Sequence, residues 1–452
     1  MNLKTIQSKL FSGSQRTANI KKNIFGLFGL KGISILVSFL VVPMTLSYVD
    51  STEYGIWMTI SSIVIWLNYF DMGIANGFRN KFAEEIAREN HEEAKSYVST
   101  TYITLAAIIG IVYIPMSIIN LYFFNWTSVL NLDPSYKSSI TTTVQYLLTF
   151  ISITFVTKTF DNILTSMQKP ALSSSLFVSG QVLGLLCVFI LTHTTEGHLE
   201  YLALAFSGVP CILNILVTIY SFKFTYLKRY TPSFKTFDSK KIKSILGLGI
   251  QLFIISISML VIFQLINIIL TRYFGPVTVT QYDVCYKYFH IVAMLVVILV
   301  TPIWSAFTEA FTKGDHQWMM NAFKKLDYAK YILIPVIGCM VLLANLFFKL
   351  WVGDKVTIPL EMTLSIACMI YFMALGQMYM YMINGTSKFR VQLIIYVAFA
   401  IISIPIMVYF AKMQSIIGVC TVPILTYAVQ ALFCRIQILK LIKGTATGIW
   451  NK

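Results

Sequence analysis

Apolar runs of membrane-crossing length recur along this whole sequence. They fall at about 23–49, 54–75, 98–124, 140–164, 170–192, 199–222, 245–271, 280–304, 328–351, 358–383, 390–411 and 416–440. A helix needs about 20 apolar residues to span a bilayer. In lipid only helices and closed barrels satisfy their own backbone. Barrel strands would be short and alternating, whereas these runs are continuous. Charged residues make up 12% of the chain, against about 25% in a soluble domain. The sequence therefore predicts an all-α polytopic membrane protein with about twelve transmembrane helices.

Residues 1–22 are polar and basic and read as a cytoplasmic lead-in. The first apolar run is too long for the core of a cleavable signal. With that end inside, 29 of the 35 Lys and Arg fall on cytoplasmic segments or the inner parts of spans and five on outer segments or outer span ends, Lys137, Arg272, Lys349, Lys355 and Lys412. Lys287 remains within a span. This bias sets the orientation, with both termini cytoplasmic. It also accounts for the net charge of +16 as basic loops facing an anionic leaflet, which argues against nucleic acid as a partner. The seven cysteines all lie in apolar runs without metal-ligand spacing and read as buried free thiols.

The outer loops are short, and the longest, about 125–139, is too small for a catalytic domain. No Ser-His-Asp, metal or phosphate-loop pattern appears, so an enzyme or a direct user of ATP is not expected. The longest loops, 76–97, 223–244 and 305–327, are all cytoplasmic. The central one divides the spans into an N-lobe (23–222), a linker (223–244) and a C-lobe (245–441), followed by a cytoplasmic tail (442–452). Phe82, Glu84, Arg88 and His91 correspond to Phe307, Glu309, Lys313 and His316 at one offset of 225 residues, which Tyr48 and Tyr273 share. Six spans separate the copies, so the repeats are parallel. Two six-helix lobes with substrate between them follow.

Three junctions carry a family resemblance: Phe70-Asp71-Met72-Gly73-Ile74-Ala75-Asn76-Gly77-Phe78-Arg79-Asn80-Lys81, Pro302-Ile303-Trp304-Ser305-Ala306-Phe307-Thr308-Glu309-Ala310, and Ile383-Asn384-Gly385-Thr386-Ser387-Lys388-Phe389-Arg390-Val391-Gln392. Together they resemble the Wzx-type polysaccharide repeat-unit (O-antigen) flippases of the multidrug/oligosaccharidyl-lipid/polysaccharide exporter superfamily. The resemblance implies a V-shaped fold in the bacterial inner membrane. It also implies a substrate, an oligosaccharide on undecaprenyl diphosphate, turned from the cytoplasmic to the outer leaflet. A polysaccharide polymerase or chain-length machinery would be the associated partner.

The candidate pathway residues are charges that span depth makes costly. Lys31 lies near the midplane if its span begins at Lys22, or snorkels if it begins near Leu30. Arg79 and Lys81 lie at the cytoplasmic mouth, where Arg can grip phosphate in bidentate fashion and Lys as a point charge, or they simply anchor the span. Asp71, at i,i+8 from Arg79, suits a gating ion pair. Lys158 and Asp161 (i,i+3) read as a gating pair or a structural salt bridge. Asp283, Lys287 and His290 share one face of the eighth span and suit an outward cavity site or proton transfer, or read as a self-satisfied triad buried between helices. Arg272 sits at an outer helix end. Glu309 repeats Glu84 at an inner junction. Trp66 and Tyr69, with Tyr371, Tyr379 and Tyr381, offer faces for sugar stacking. Trp57, Trp126 and Trp351 read as outer-belt anchors and Trp304 as an inner one. No cofactor is expected, although Asp71, Asp283 and His290 suit coupling to H⁺ or Na⁺. Other readings are an ion-coupled multidrug/cation antiporter of the same superfamily, which would favour a carboxylate-rich cavity, and a non-transporting scaffold, which would not need intramembrane charge.

Overall fold

The computed structural model describes residues 15–64, 74–167, 169–246, 250–386 and 388–451. Among them every regular element is helical. The long helices of the first half are α1 (Gln15–Tyr48), α2 (Ser51–Val64), α3 (Ile74–Ala87), α4 (His91–Ile118), α5 (Lys137–Thr157), α6 (Thr159–Ser166), α7 (Pro170–Thr194) and α8 (Val209–Phe224). The short α9 (Lys240–Leu246) follows the linker. Then come α10 (Ile250–Phe274), α11 (Pro276–Lys313), α12 (His316–Val352), α13 (Leu360–Thr386), α14 (Arg390–Lys412) and α15 (Ile416–Ile442). Eleven described helical stretches are long and apolar enough to cross a membrane. The remaining apolar run, 54–75, starts as α2 and enters 65–73, outside the described residues.

The chain forms two compact units. The first is Met1–Val49, Val64–Thr127 and Asp133–Phe253; the second is Asp50–Ile63, Ser128–Leu132 and Ile254–Lys452. Helix α2, from the first half of the sequence, thus packs within the second unit.

The 225-residue offset is also a backbone offset. Helices α2 and α11 begin at Ser51 and Pro276, and α4 and α12 at His91 and His316. Before each of the latter pair the chain turns through a left-handed residue, Glu89 (φ 59°) or Gly314 (φ 69°). The next side chain then caps the new helix. Asn90 Oδ1 accepts the Glu93 N–H at 3.3 Å, and Asp315 Oδ1 accepts the Trp318 N–H at 2.9 Å. The backbone N–H groups of Asn90 and Asp315 reach back to the Glu85 and Ala310 carbonyls at 3.0 and 2.9 Å. Phe82 and Phe307 are both fully buried. Glycine enters the left-handed region freely, whereas glutamate pays about 1–2 kcal/mol to do so. The first copy therefore keeps the turn against its own residue preference. The expected loops at 76–97 and 305–327 are accordingly mostly helix, broken at these two turns.

Proline positions follow backbone need. Pro170 and Pro276 open their helices, where no N–H is missed. Pro210 follows a π-helical turn, Leu204–Gly208, whose wider loop accommodates the ring and the lost N–H. Gly180 and Gly184 of α7 face this turn; a Cβ on them would meet Pro210 Cβ at 3.0 Å and the Ala205 carbonyl at 2.9 Å. Small residues let the two helices approach there.

Two sequence expectations change. Trp57 is only 6% exposed, a core residue rather than a belt anchor. Cys339 and Cys368 are exposed free thiols, because they lie on outward faces of α12 and α13.

Candidate functional site

In the second unit α2 lies hard against the start of α11. Thr280 Oγ1 donates to the Ser51 carbonyl, and the Thr59 hydroxyl bonds that of Thr271 near the end of α10. This approach brings Tyr54 onto the charged face of α11. Its hydroxyl donates to Asp283 Oδ2 at 2.6 Å. Lys287 Nζ lies 2.7 Å from the same oxygen and 3.0 Å from the Tyr54 hydroxyl. Asp283 is 8% exposed and Tyr54 is buried. The predicted Asp283–Lys287 pair is therefore present as a closed triangle with a third member. One turn on, His290 stacks on Tyr286 with ring centroids 4.9 Å apart.

The triangle is electrically neutral, and its carboxylate is shared by a cation and a phenol. Such a site holds its charge at depth and can exchange Lys287 for another cation, or Asp283 for another anion. Tyr54 was not a sequence candidate: it lies 229 residues from Asp283 and is not at the repeat offset. Removing one buried hydrogen bond costs about 0.5–1.5 kcal/mol, more when the partner is charged. Tyr54→Phe is expected to lower stability by about 1–2 kcal/mol while keeping the Asp283–Lys287 pair, as measured by melting in detergent.

A second cluster went unseen in the sequence. Asp327 of α12 accepts Arg435 Nε and Nη2 from α15 at 2.8 and 3.2 Å, Lys330 Nζ at 2.8 Å, and the Tyr379 hydroxyl from α13 at 2.6 Å. Three helices are tied to one carboxylate, and the cluster carries one excess positive charge. Tyr379, a stacking candidate, is committed here through its hydroxyl. The sequence hid the cluster because Asp327 falls at the edge of an apparent loop and Arg435 resembles a helix-end charge.

The other candidates are dispersed. Lys31 is exposed on α1, one turn from Ser34, whose hydroxyl donates to Gln181 of α7 at 2.8 Å. Counted back from Tyr48 at 1.5 Å per residue, Lys31 lies about 26 Å along the axis, toward the far edge of a core about 30 Å thick. Arg79 is exposed on α3, and its carbonyl accepts the Ser166 hydroxyl of α6 at 3.1 Å. Lys81 is taken up by Glu84 at 3.0 Å, and Arg88 reaches the other oxygen of Glu84 at 2.6 Å. Bonding to Lys81 and the charge of Arg88 hold the Glu84 carboxyl below the usual carboxylate range. No close ion pair forms between Lys158 and Asp161. Asp161 instead faces the Ser173 hydroxyl, and its Oδ1 is buried without a hydrogen-bond partner. Arg272 clamps the Ser128 and Val129 carbonyls, which ties 128–132 to the second unit. Glu309 lies on α11, but its side chain falls outside the described residues. Trp66, Tyr69 and Asp71 also fall outside them.

Among the described residues no group of three or more His, Cys, Asp or Glu side chains could hold a metal ion. Residues 20–307 match the family model described as polysaccharide biosynthesis protein. The chain belongs to that family. The matched stretch includes Tyr54, Arg79, Asp283 and Lys287 and ends before Asp327 and Arg435. No curated protein matches. Among solved structures, the chain is similar to an inward-facing multidrug resistance MATE family transporter of the MOP superfamily. The identity is 15%, with 92% of this chain and 96% of that one covered, at a TM-score of 0.69. An outward-facing transporter of that family matches at 17% identity over 97% and 99% of the two chains, with a TM-score of 0.61. A MOP superfamily transporter from Pyrococcus furiosus, described as having a binding pocket of reverse polarity that suggests a different function, matches at 17% over 96% and 98%, with a TM-score of 0.60. These likenesses establish the fold: a two-lobed MOP-type membrane transporter fold carried by a member of the polysaccharide biosynthesis family.

Proposed function

We propose that this protein is a flippase that moves oligosaccharide linked to undecaprenyl diphosphate across the bacterial inner membrane by alternating access of two lobes, 23–222 and 245–441. The observation that carries the reading is the family match over 20–307 on a chain with a transporter fold. A protein of polysaccharide biosynthesis built as a transporter acts by moving saccharide. The saccharide reaches the membrane on a lipid, and its diphosphate needs compensating positive charge at depth.

Arg79 and Lys31, both exposed, are the groups for first contact with the diphosphate; Lys81 is drawn off by Glu84. Deeper in, Lys287 exchanges Asp283 for the diphosphate. Asp283, freed of its cation, then takes H⁺ or Na⁺ with His290 nearby. A polymerase or chain-length machinery would consume the unit on the outer side.

A drug or cation antiporter is the second reading. The buried, unpartnered oxygen of Asp161 favours it, since a carboxylate suits a cationic cargo. Proteoliposomes carrying a fluorescent undecaprenyl-diphosphate oligosaccharide separate the two. The wild type is expected to flip the lipid, and Arg79→Ala and Lys287→Ala to lose at least tenfold in rate, about 1.4 kcal/mol of barrier. Extrusion of small cations by a wild type that leaves the lipid unmoved would replace the flippase reading.

A further inference from the structure

The segment between α8 and α9 is held rigidly on the first unit. His91, at the start of α4, bonds the Tyr230 hydroxyl through Nδ1 at 2.8 Å. Lys241 pairs with Glu93 and lies 4.8 Å over the Tyr97 ring. The Ser233 N–H donates to Ser99 Oγ at 3.0 Å, and Thr236 Oγ1 shares a 2.7 Å bond with the same oxygen. The Asp238 N–H donates to Thr100 Oγ1 at 3.0 Å. The turn Phe234–Thr236 is therefore fixed at a known level of α4. Ser99 and Thr100 open its apolar run, so the turn is fixed at the edge of the hydrocarbon.

At that level the turn presents an apolar ring outward. Phe234 is 85% exposed, although its neighbours are tied down. The preceding helix leads to the same boundary. Ile212, Leu216, Tyr220 and Phe224 of α8 are exposed at four-residue spacing, one stripe of a helix face. The stripe turns aromatic at its end, as lipid-facing helices do at the interface. The same segment carries six exposed cations, Lys223, Lys228, Arg229, Lys235, Lys240 and Lys243.

We propose that 223–243 is a membrane-surface anchor, in which Phe234 enters the boundary between headgroups and acyl chains while Lys228, Lys235 and Lys240 hold anionic phospholipid headgroups. A phenyl ring gains by leaving water, and each lysine near an anionic surface adds attraction. The two signals together make a stable attachment where one alone is marginal. The first unit thus has a fixed depth reference on its basic side, independent of what the protein transports.

The test uses the whole protein in nanodiscs of neutral lipid, with or without phosphatidylglycerol. In Phe234→Trp, the emission added over wild type is expected to be blue-shifted, quenched by bromine-labelled acyl chains, and several-fold less accessible to aqueous acrylamide than a water-exposed indole. The variant Lys228→Ser/Lys235→Ser/Lys240→Ser is expected to lose enrichment of bound phosphatidylglycerol by about fivefold per charge removed, read by native mass spectrometry. Phe234 makes no core contact, so folding is not at issue. An added indole that acrylamide quenches and bromolipid does not, in both lipid mixtures, would overturn the anchor and leave the ridge as a docking surface for a protein. Unchanged phosphatidylglycerol binding in the triple variant would overturn the headgroup assignment.

Discussion

A single methyl group added at Gly55 is expected to strip α2 from the second unit. A Cβ there would lie 1.8 Å from the Pro276 carbonyl oxygen and 2.4 Å from its carbon. Both atoms are backbone at the first position of α11, so no side-chain rotation relieves the overlap. One helix must move away by more than an ångström. That movement breaks the Tyr54–Asp283 and Ser51–Thr280 bonds together, because both depend on the same close approach. Overpacking in a tight core costs about 1–3 kcal/mol and sometimes more; with the bonds lost as well, Gly55→Ala belongs at or beyond the top of that range. Melting can be followed with a thiol-reactive dye. Cys285, Cys420 and Cys434 are buried and report unfolding, while Cys339 and Cys368 set the baseline. Gly338→Ala is the matched control, since nothing lies within 4 Å of its added carbon. A Gly55→Ala protein that melts with the control would mean that α2 does not pack this closely on α11.

Gly55 also marks where sequence reading stops. Length and continuity of apolar runs foretell the helices, because the bilayer imposes a length that local composition must meet. The repeat at 225 residues foretells matching junctions, and the turns at Glu89 and Gly314 match bond for bond. Close approach between distant helices has no such local signature. Nothing around Gly55 distinguishes it from Gly110, which has open space. Tyr54 joins Asp283 only through that approach. The Asp283–Lys287 pair was legible because i,i+4 spacing puts both on one face of a single span. The Asp327–Arg435 pair was invisible because its partners lie 108 residues apart on different helices. Asp161 is an instructive failure: i,i+3 spacing placed Lys158 near it, but no close pair forms, and Asp161 faces Ser173 of α7, a partner that spacing along one helix does not report.

Asp327→Ala is expected to cost more than the loss of either cation beside it. The carboxylate is the only anion in its cluster, and Arg435, Lys330 and Tyr379 all point donors at it. Removing it leaves two positive charges facing each other and a buried hydroxyl without its acceptor. Breaking a buried pair in this way costs about 3–5 kcal/mol. The Arg435 side chain is 38% exposed, and solvent screens part of that, so about 2–3 kcal/mol is the expected loss. Tyr379→Phe should cost only about 1 kcal/mol, as it removes one hydrogen bond and leaves the ion pairs. The decisive comparison is the double variant Asp327→Ala/Arg435→Met, which removes the stranded guanidinium and fills its place with apolar volume. Because desolvating a charge is the larger part of the penalty, the double variant should melt above Asp327→Ala alone. If it melts lower still, by the sum of the two single losses, Asp327 and Arg435 act independently and do not tie α12, α13 and α15 together.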